Sequence, residues 1–481
     1  MIRTKIVGTI GPASEKISIM KQMIVSGMDA ARLNFSHNAH SHHLVLIRNL
    51  RKAAEQSKRS IAIMADLQGP RIRIGDVGEG VSIKKNQETT LFFSNKKFQK
   101  GKGIKIPVHY DLSRDIKPGA MVLIDDALIK LKVKKIVKKE IICEALTGGL
   151  VKTHKGMNFP GSVISADPLT AKDLKDLEFA VKNRVDYIAM SFVKDEKDIS
   201  RLRKKILNLE KKFNYVSEKA KEPRTKIIAK IESKEAVKNF DSILSVSDSI
   251  MVARGDLGIE LPFEDVPLIQ KKIVSKCNLA AKPVIVATQM LDSMIRNPLP
   301  TRAEVSDVAN AILDGADAIM LSGESAAGKY PLLSVKTMNR IAKELEPEEF
   351  KVQQSLENKL KKVNSPVERV AFNAQDMAEK MKAKAILCLT KTGHTARLIS
   401  RYKSKIPIFA FTENETVRNQ LNLVWGVMPC QSFFSHTYAR MARTVMNRVK
   451  ELKKGDPVIV CAGRKFHYFK GKENYLKQES V

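Results

Sequence analysis

The chain has 481 residues, 43% of them hydrophobic, which is enough for a large buried core split among about two to four domains. No apolar run reaches the roughly 18–20 residues that span a bilayer, and the first five residues lead straight into a strand-like segment with no leader pattern. The formal net charge is +32, but the lysines are spread along the chain and aromatics are only 6%, so platforms for stacking bases are scarce; neither a nucleic-acid nor a membrane partner is expected. The five cysteines (Cys143, Cys277, Cys388, Cys430 and Cys461) form no CxxC pair and read as reduced structural thiols of a cytoplasmic protein.

Residues 5–10, 30–33 and 61–65 are short, nearly continuous apolar runs of strand character. Roughly 120 residues then precede the fourth such run, where a simple β/α connection needs one helix. This stretch reads as β-rich at 122–124, 128–137 and 141–146, with turn signals at Pro118-Gly119 and Gly148-Gly149. Within it, residues 130–139 place lysines so that apolar residues face a core and ammonium groups face water. Apolar runs resume at 187–190, 226–231, 250–253, 283–287 and 318–321, and the segments between them, such as 174–181 and 266–279, have helical spacing. Eight alternations predict an α/β protein built on a (β/α)8 TIM barrel, with a small β-barrel domain inserted after the third strand. That insertion leaves from the C-terminal face of the barrel, where it can act as a lid.

Composition changes after Lys343. Residues 344–365 are charged, include Pro347, and read as a helix followed by a linker. A further α/β unit follows, with strands at 385–390, 408–411 and 458–461 and helices at 395–402, 416–423 and 438–452. The expected plan is therefore barrel at 1–70 and 168–345, inserted lid at 71–167, and a C-terminal α/β domain at 346–481.

Barrels carry their chemistry at the C-terminal ends of the strands. There the sequence places Arg32 to His37, Asp66, Ser191-Phe192, Lys230-Ile231-Glu232, Arg254-Gly255-Asp256, Thr288-Gln289 and Ser322-Gly323-Glu324. Lys230 and Glu232 are two apart on a strand and so point the same way. Asp256 arrives from the next strand behind Gly255, which leaves room for a substrate against the backbone. Two carboxylates with open positions suit Mg²⁺ or Mn²⁺, and Lys230 with Arg32 adds positive charge of the kind that stabilises phosphoryl transfer. A local Lys230–Glu232 salt bridge alone does not account for the convergence of polar strand ends. His37, His40, His42 and His43 cluster without a nearby cysteine, and a zinc site is not expected from their spacing.

These residues sit within longer stretches: TKIVGTIGPAS from Thr4, ARLNFSH from Ala31, ADLQGPRIRIG from Ala65, KIES from Lys230, MVARGDLGIELP from Met251, ATQMLDSM from Ala287, and PTRAEVSDVANAILDGADAIMLSGESAAGKYP from Pro300. In content, order and spacing the chain resembles the pyruvate kinases along essentially its whole length. The resemblance implies transfer of the phosphoryl group of phosphoenolpyruvate to ADP, with Glu232 and Asp256 as metal ligands and Lys230 and Arg32 on the phosphoryl group. It implies that Gly255, Asp256 and Thr288, with Ser191 nearby, hold the substrate. Asn34, Phe35, Ser36, His37, Arg73 and Lys155 would face the nucleotide. Thr288, Ser322 and a bound water are the candidate proton sources for the enolate. Asn34, Ser36, Asp66 and Leu67 match the monovalent-cation site of the family. Potassium-dependent members carry Thr at the position of Leu67, Lys at Gln68 and Glu at Arg71, so Arg71 here reads as a fixed substitute for K⁺. Thr390, Lys391, Thr392, Gly393, His394 and Thr395 follow a strand and open a helix; they resemble the effector-phosphate loop of allosteric members, for a sugar phosphate. The closing loop of that effector site is replaced here by RKFHYFKGKENYLKQESV. The family also implies a homotetramer. Two alternatives are another phosphoenolpyruvate-using barrel, such as a mutase or lyase, and a basic non-catalytic binding protein. The 300–331 motif and the two extra domains argue against the first, and the intact Lys230, Glu232, Asp256 and Thr288 against the second.

Overall fold

Runs that are buried at every position, or nearly so, close into a parallel barrel, because both of their faces must meet apolar partners. The structure is a computed structural model that describes residues 2–94, 104–125, 127–346, 365–431, 441, 445–447, 453–462 and 475–480. Three strands open the chain: β1 (Lys5–Thr9), β2 (Met28–Asn34) and β3 (Ala62–Asp66). Eight short ones follow: β4 (Val81–Ile83), β5 (Glu88–Phe93), β6 (Ile104–Val108), β7 (Met121–Ile124), β8 (Ile129–Val137), β9 (Glu140–Ala145), β10 (Gly149–Val151) and β11 (Met157–Asn158). Then come β12 (Tyr187–Met190), β13 (Lys226–Ile231), β14 (Ser249–Ala253), β15 (Val284–Ala287) and β16 (Ala318–Leu321). The last five are β17 (Ala385–Leu389), β18 (Ile408–Thr412), β19 (Val427–Gln431), β20 (Pro457–Ala462) and β21 (Tyr475–Ser480).

The barrel order is β1-β16-β15-β14-β13-β12-β3-β2, and every pairing is parallel. The eight strands coincide with the eight apolar runs to within two residues. Four aspartates fasten the N-terminal end, the floor. Asp29, Asp186, Asp248 and Asp317 stand at or just before β2, β12, β14 and β16, alternate strands of the barrel in chain order. Each accepts the backbone N–H of the neighbouring strand or its edge: Ile6 (3.0 Å), Ile63 (2.8 Å), Ile227 (2.9 Å) and Val284 (3.0 Å) respectively. A strand end that would expose a dangling amide is thereby satisfied inside the protein.

The insertion forms a curled six-stranded sheet, β11-β7-β8-β9-β5-β6, beside a β10-β4 ribbon. Arg73 bridges Gly156 and Ile74 bridges Val108, so one short segment ties both edges of the curl into a half-barrel. The alternation expected along 130–139 holds from Ile129 to Lys134 and then slips at a bulge between Val133 and Lys135.

The C-terminal unit is an α/β domain with the sheet order β19-β18-β17-β20-β21, in which β21 is the one antiparallel member. The sequence reading did not include β19 or β21. Tyr475–Ser480 is largely polar, and an edge strand of that kind leaves no apolar period. The predicted 438–452 helix lies largely outside the described residues, as does most of the 344–365 segment. The domain docks on the barrel floor: Tyr187 Oη donates to the Gln420 carbonyl (2.9 Å), Lys5 Nζ to that of Val427 (2.8 Å), and buried Lys403 pairs with Asp317 (2.9 Å). Among the described residues no helix is long and apolar enough to cross a membrane.

Candidate active site

At the opposite end of the barrel, the mouth, the fifth strand β13 delivers Lys230 and the residue after it delivers Glu232. Both are buried, at 8% and 3% exposure. The Lys230 ammonium donates to Ser191 Oγ (2.6 Å) and lies 2.8 Å from Glu232 Oε1 and 3.3 Å from Asp66 Oδ1. Asp66, at the end of β3, also takes the Arg32 Nε–H at 2.7 Å, and Arg32 reaches Thr9 Oγ1 at 3.2 Å. Two cations and two carboxylates from β2, β3 and β13 thus form one network. Burial works against the charge on Lys230, yet Asp66 and Glu232 hold its pKa above the usual lysine value. Burial works to lift Asp66, but Lys230 and Arg32 keep it below the usual carboxylate range. Glu232 is raised, chiefly by burial, with the charge of Asp256 adding to the effect and Lys230 opposing it.

Asp256 lies on the short helix Arg254–Glu260 that begins where β14 stops, not on the strand itself. Glu232 and Asp256 are close enough to repel, which is the condition a divalent cation relieves. Their oxygen donors fit Mg²⁺ or Mn²⁺. Glu232 Oε2 accepts the Phe192 N–H at 2.7 Å, which fixes the carboxylate plane. Among the described residues no group of three or more His, Cys, Asp or Glu side chains is arranged to hold a metal. His40 pairs with Asp176 (2.7 Å), and His43 stacks on Phe35 with centroids 4.1 Å apart.

Thr288 is held in the left-handed region, φ 71°, followed by Gln289 at φ 52°. Such backbone costs about 1–3 kcal/mol per residue and persists only where neighbours impose it. Here Arg254 imposes it. Its guanidinium forks onto Asp307 (2.6 and 2.7 Å) and donates to the Thr288 carbonyl at 2.8 Å. Thr288 Oγ1 accepts the Gly255 N–H (2.7 Å) and donates to the Ala287 carbonyl (2.6 Å). The sequence names Arg254 only as a strand-end residue, with no role, and does not single out Asp307, although both lie within the quoted motifs. A bidentate pair behind a strained residue is visible only in three dimensions. The Ser322 N–H donates to Glu324 Oε2 (2.7 Å), whose other oxygen takes Leu291 N–H (3.1 Å), so Glu324 shapes the loop from within.

The segment after β2 is an Asx turn in which Ser36 N–H donates to Asn34 Oδ1 at 3.1 Å. The Phe35 ring is buried, so that residue offers the surface only its backbone. Burial lowers the His37 pKa, and Arg71, Arg73, Arg32 and Lys172 lower it further, so the imidazole is neutral inside a ring of cations. Arg73 donates to the His154 carbonyl (2.8 Å), and Lys155, on the facing segment, pairs with Asp125 (2.8 Å). Arg71 is exposed and makes no ion pair among the described residues; the cations on Asp66 are Arg32 and Lys230.

The Thr390–Thr395 loop is on the far domain. Gly393 adopts φ 77° and donates its N–H to Thr390 Oγ1 (2.9 Å), and Arg397 donates to the Thr392 carbonyl at 3.3 Å. Residues 463–470, which would complete a closing loop, lie outside the described residues.

Comparison with known proteins supplies the remaining evidence. The family description "Pyruvate kinase, barrel domain" matches residues 1–335, and "Pyruvate kinase, alpha/beta domain" matches residues 368–477. The chain belongs to the pyruvate kinase family. A pyruvate kinase of Clostridium perfringens is 41% identical over 492 residues, covering 100% of both chains. One from Geobacillus stearothermophilus is 42% identical over 472 residues, covering 96% of this chain and 77% of its own. Among solved structures, a pyruvate kinase from Cryptosporidium parvum superposes with a TM-score of 0.92 at 36% identity, covering 100% of this chain and 96% of the other. As in that family, the activity is that of a pyruvate kinase, a glycolytic phosphotransferase on a TIM barrel.

Proposed function

We propose that phosphoenolpyruvate and ADP meet at the barrel mouth, and that the Lys230 network there carries the transfer. The observation behind this is a buried ammonium poised against Ser191, Asp66 and Glu232, with Asp256 beside them. Glu232 and Asp256 would hold Mg²⁺ or Mn²⁺, which when bound supplies positive charge to the phosphoryl oxygens. Gly255, Asp256 and Thr288 receive the substrate carboxylate, whose approach replaces the Thr288 hydroxyl on the Gly255 amide. In the reaction the bond from phosphorus to the enol oxygen breaks and a bond from phosphorus to a terminal ADP oxygen forms. Lys230 and Arg32 face the charge spread over the phosphoryl oxygens. The enolate that leaves takes a proton from Thr288, Ser322 or a bound water to give pyruvate. Asn34, Ser36, His37, Arg73 and Lys155, with the backbone of Phe35, receive the nucleotide, and the insertion that carries Arg73 and Lys155 closes as a lid. A coupled assay for pyruvate from phosphoenolpyruvate, ADP and Mg²⁺ tests this, with Lys230→Met as the control. Equal turnover by that variant, once folded, removes Lys230 from the mechanism.

Three finer readings accompany it. The enzyme works without K⁺, because Arg71 adds a fixed positive charge beside His37 and Arg73 where K⁺-dependent relatives carry an acid. Turnover in K⁺-free and Na⁺-free buffer checks this; a large loss that K⁺ restores overturns it. The Thr390–Thr395 loop binds an effector phosphate, tested by sugar-phosphate binding to the wild type and Thr392→Glu; equal binding refutes it. The assembly is a homotetramer, for which the exposed Phe263, Leu268 and Leu299 supply apolar surface; light scattering decides it.

A further inference from the structure

The chain crosses between barrel and insertion twice, and the two crossings enclose a cavity of about 450 Å³, within the size range of small-molecule sites. Pro70 and Ile72 on the outgoing crossing, Phe159, Ile164 and Ala166 on the return, and Phe192 from the barrel give it an apolar lining. Lys230, Glu232, Asp256 and Thr288 do not line it, although Phe192, Ser233 and Glu260 do, so it adjoins the mouth without including the site side chains. Its rim is charged. Lys194, Lys234 and Lys238 stand against Glu235 and Glu260. Lys194 reaches across to the carbonyls of Ile164 (3.4 Å) and Ala166 (3.3 Å), tying barrel to crossing. Lys234 and Lys238 share one face of the helix Lys234–Lys238, are exposed, and make no ion pair among the described residues. Three ammonium groups thus face two carboxyl groups, and the rim is net cationic.

We propose that this cavity binds a small amphipathic anion, an apolar or aromatic body bearing one carboxylate or sulfonate, and thereby sets how far the lid closes. The body fills the space between the crossings and the acidic head sits at Lys234 and Lys238. The site lies one bond network from the chemistry. Phe192, on its wall, donates to Glu232, and Glu260 ends the helix that carries Asp256. The effect on turnover rests on the lid reading above; binding does not.

Anilinonaphthalene sulfonate has the required chemistry and reports binding by its own fluorescence. Titration of the intact enzyme should give one saturable site per chain that survives saturating phosphoenolpyruvate with Mg²⁺, and saturating ADP with Mg²⁺. Ala166→Trp, which fills the cavity, and the double variant Lys234→Glu/Lys238→Glu, which reverses the rim, should each weaken binding by about tenfold or more. The double variant should keep its turnover in the absence of the probe, and bound probe should lower wild-type turnover. Displacement by either substrate, or undiminished binding by the double variant, overturns the site. Binding that follows the variants but leaves turnover untouched upholds the site and overturns the lid coupling.

Discussion

The two ends of the barrel use the same residue types for opposite ends. At the floor, Asp29, Asp186, Asp248 and Asp317 each accept a strand N–H, and the C-terminal domain docks on that end, with Trp425 N–H on Asp317. At the mouth, Asp66 and Glu232 are held among Arg32, Lys230 and Ser191, and no floor-type backbone pairing is their main partner. A carboxylate beside a barrel strand therefore says little until its end is known. The floor aspartates satisfy backbone amides, whereas the mouth carboxylates pair with side-chain cations. Mutation at the floor should change stability, and mutation at the mouth turnover.

Lys230→Met is the strongest challenge to that division. It should cut kcat by about a thousandfold, the scale expected when a positioned charge is lost from a transferring group, in a protein that still folds by circular dichroism. Asp248→Ala should do the reverse. It strands the Ile227 N–H and leaves Arg203 and Lys226 without their shared carboxylate. Chemical denaturation should show a loss of about 2–4 kcal/mol, with kcat retained. Arg71→Glu should create a several-fold activation by K⁺, read by titrating K⁺ into K⁺-free assays; an unresponsive variant would separate Arg71 from the cation site.

Asp186→Asn should act on stability without touching turnover, by an amount that depends on pH. Burial lifts Asp186 to about 7 in the folded chain, against roughly 3.9 when unfolded. The folded state therefore holds the proton more tightly. Its contribution to stability is full below the unfolded value and is lost as pH rises through about 7. Asparagine mimics the protonated form at every pH, so the variant's melting temperature should gain on the wild type by more at pH 8 than at pH 5. A constant difference across that range would mean Asp186 does not titrate there.

Much of this was legible beforehand. The eight strands announced themselves because most of their positions are buried and apolar, and Lys230 with Glu232 stood out as charges at the end of such a run. The insertion was visible as β-rich, but β4, β5, β6, β10 and β11 were not; β4, β10 and β11 have only two or three residues, too few to show a period. Arg254 and Asp307 are 53 residues apart, and nothing local marks them as a pair. The floor aspartates belong to no motif singled out from the sequence, and only the pairing of neighbouring strands shows what they bind.

The sequence by itself determined the alternation of strand and helix, the position of the insertion and the residue types at each strand end, because these follow from local burial and spacing. Only the tertiary structure decided that Asp66 sits between Arg32 and Lys230, that Thr288 is strained by Arg254, and that Arg71 points outward. Those facts depend on which strands become neighbours when the barrel closes. The pairing of β2 with β3, and of β3 with β12 rather than with the nearer β4, is a long-range contact that no short stretch of chain encodes.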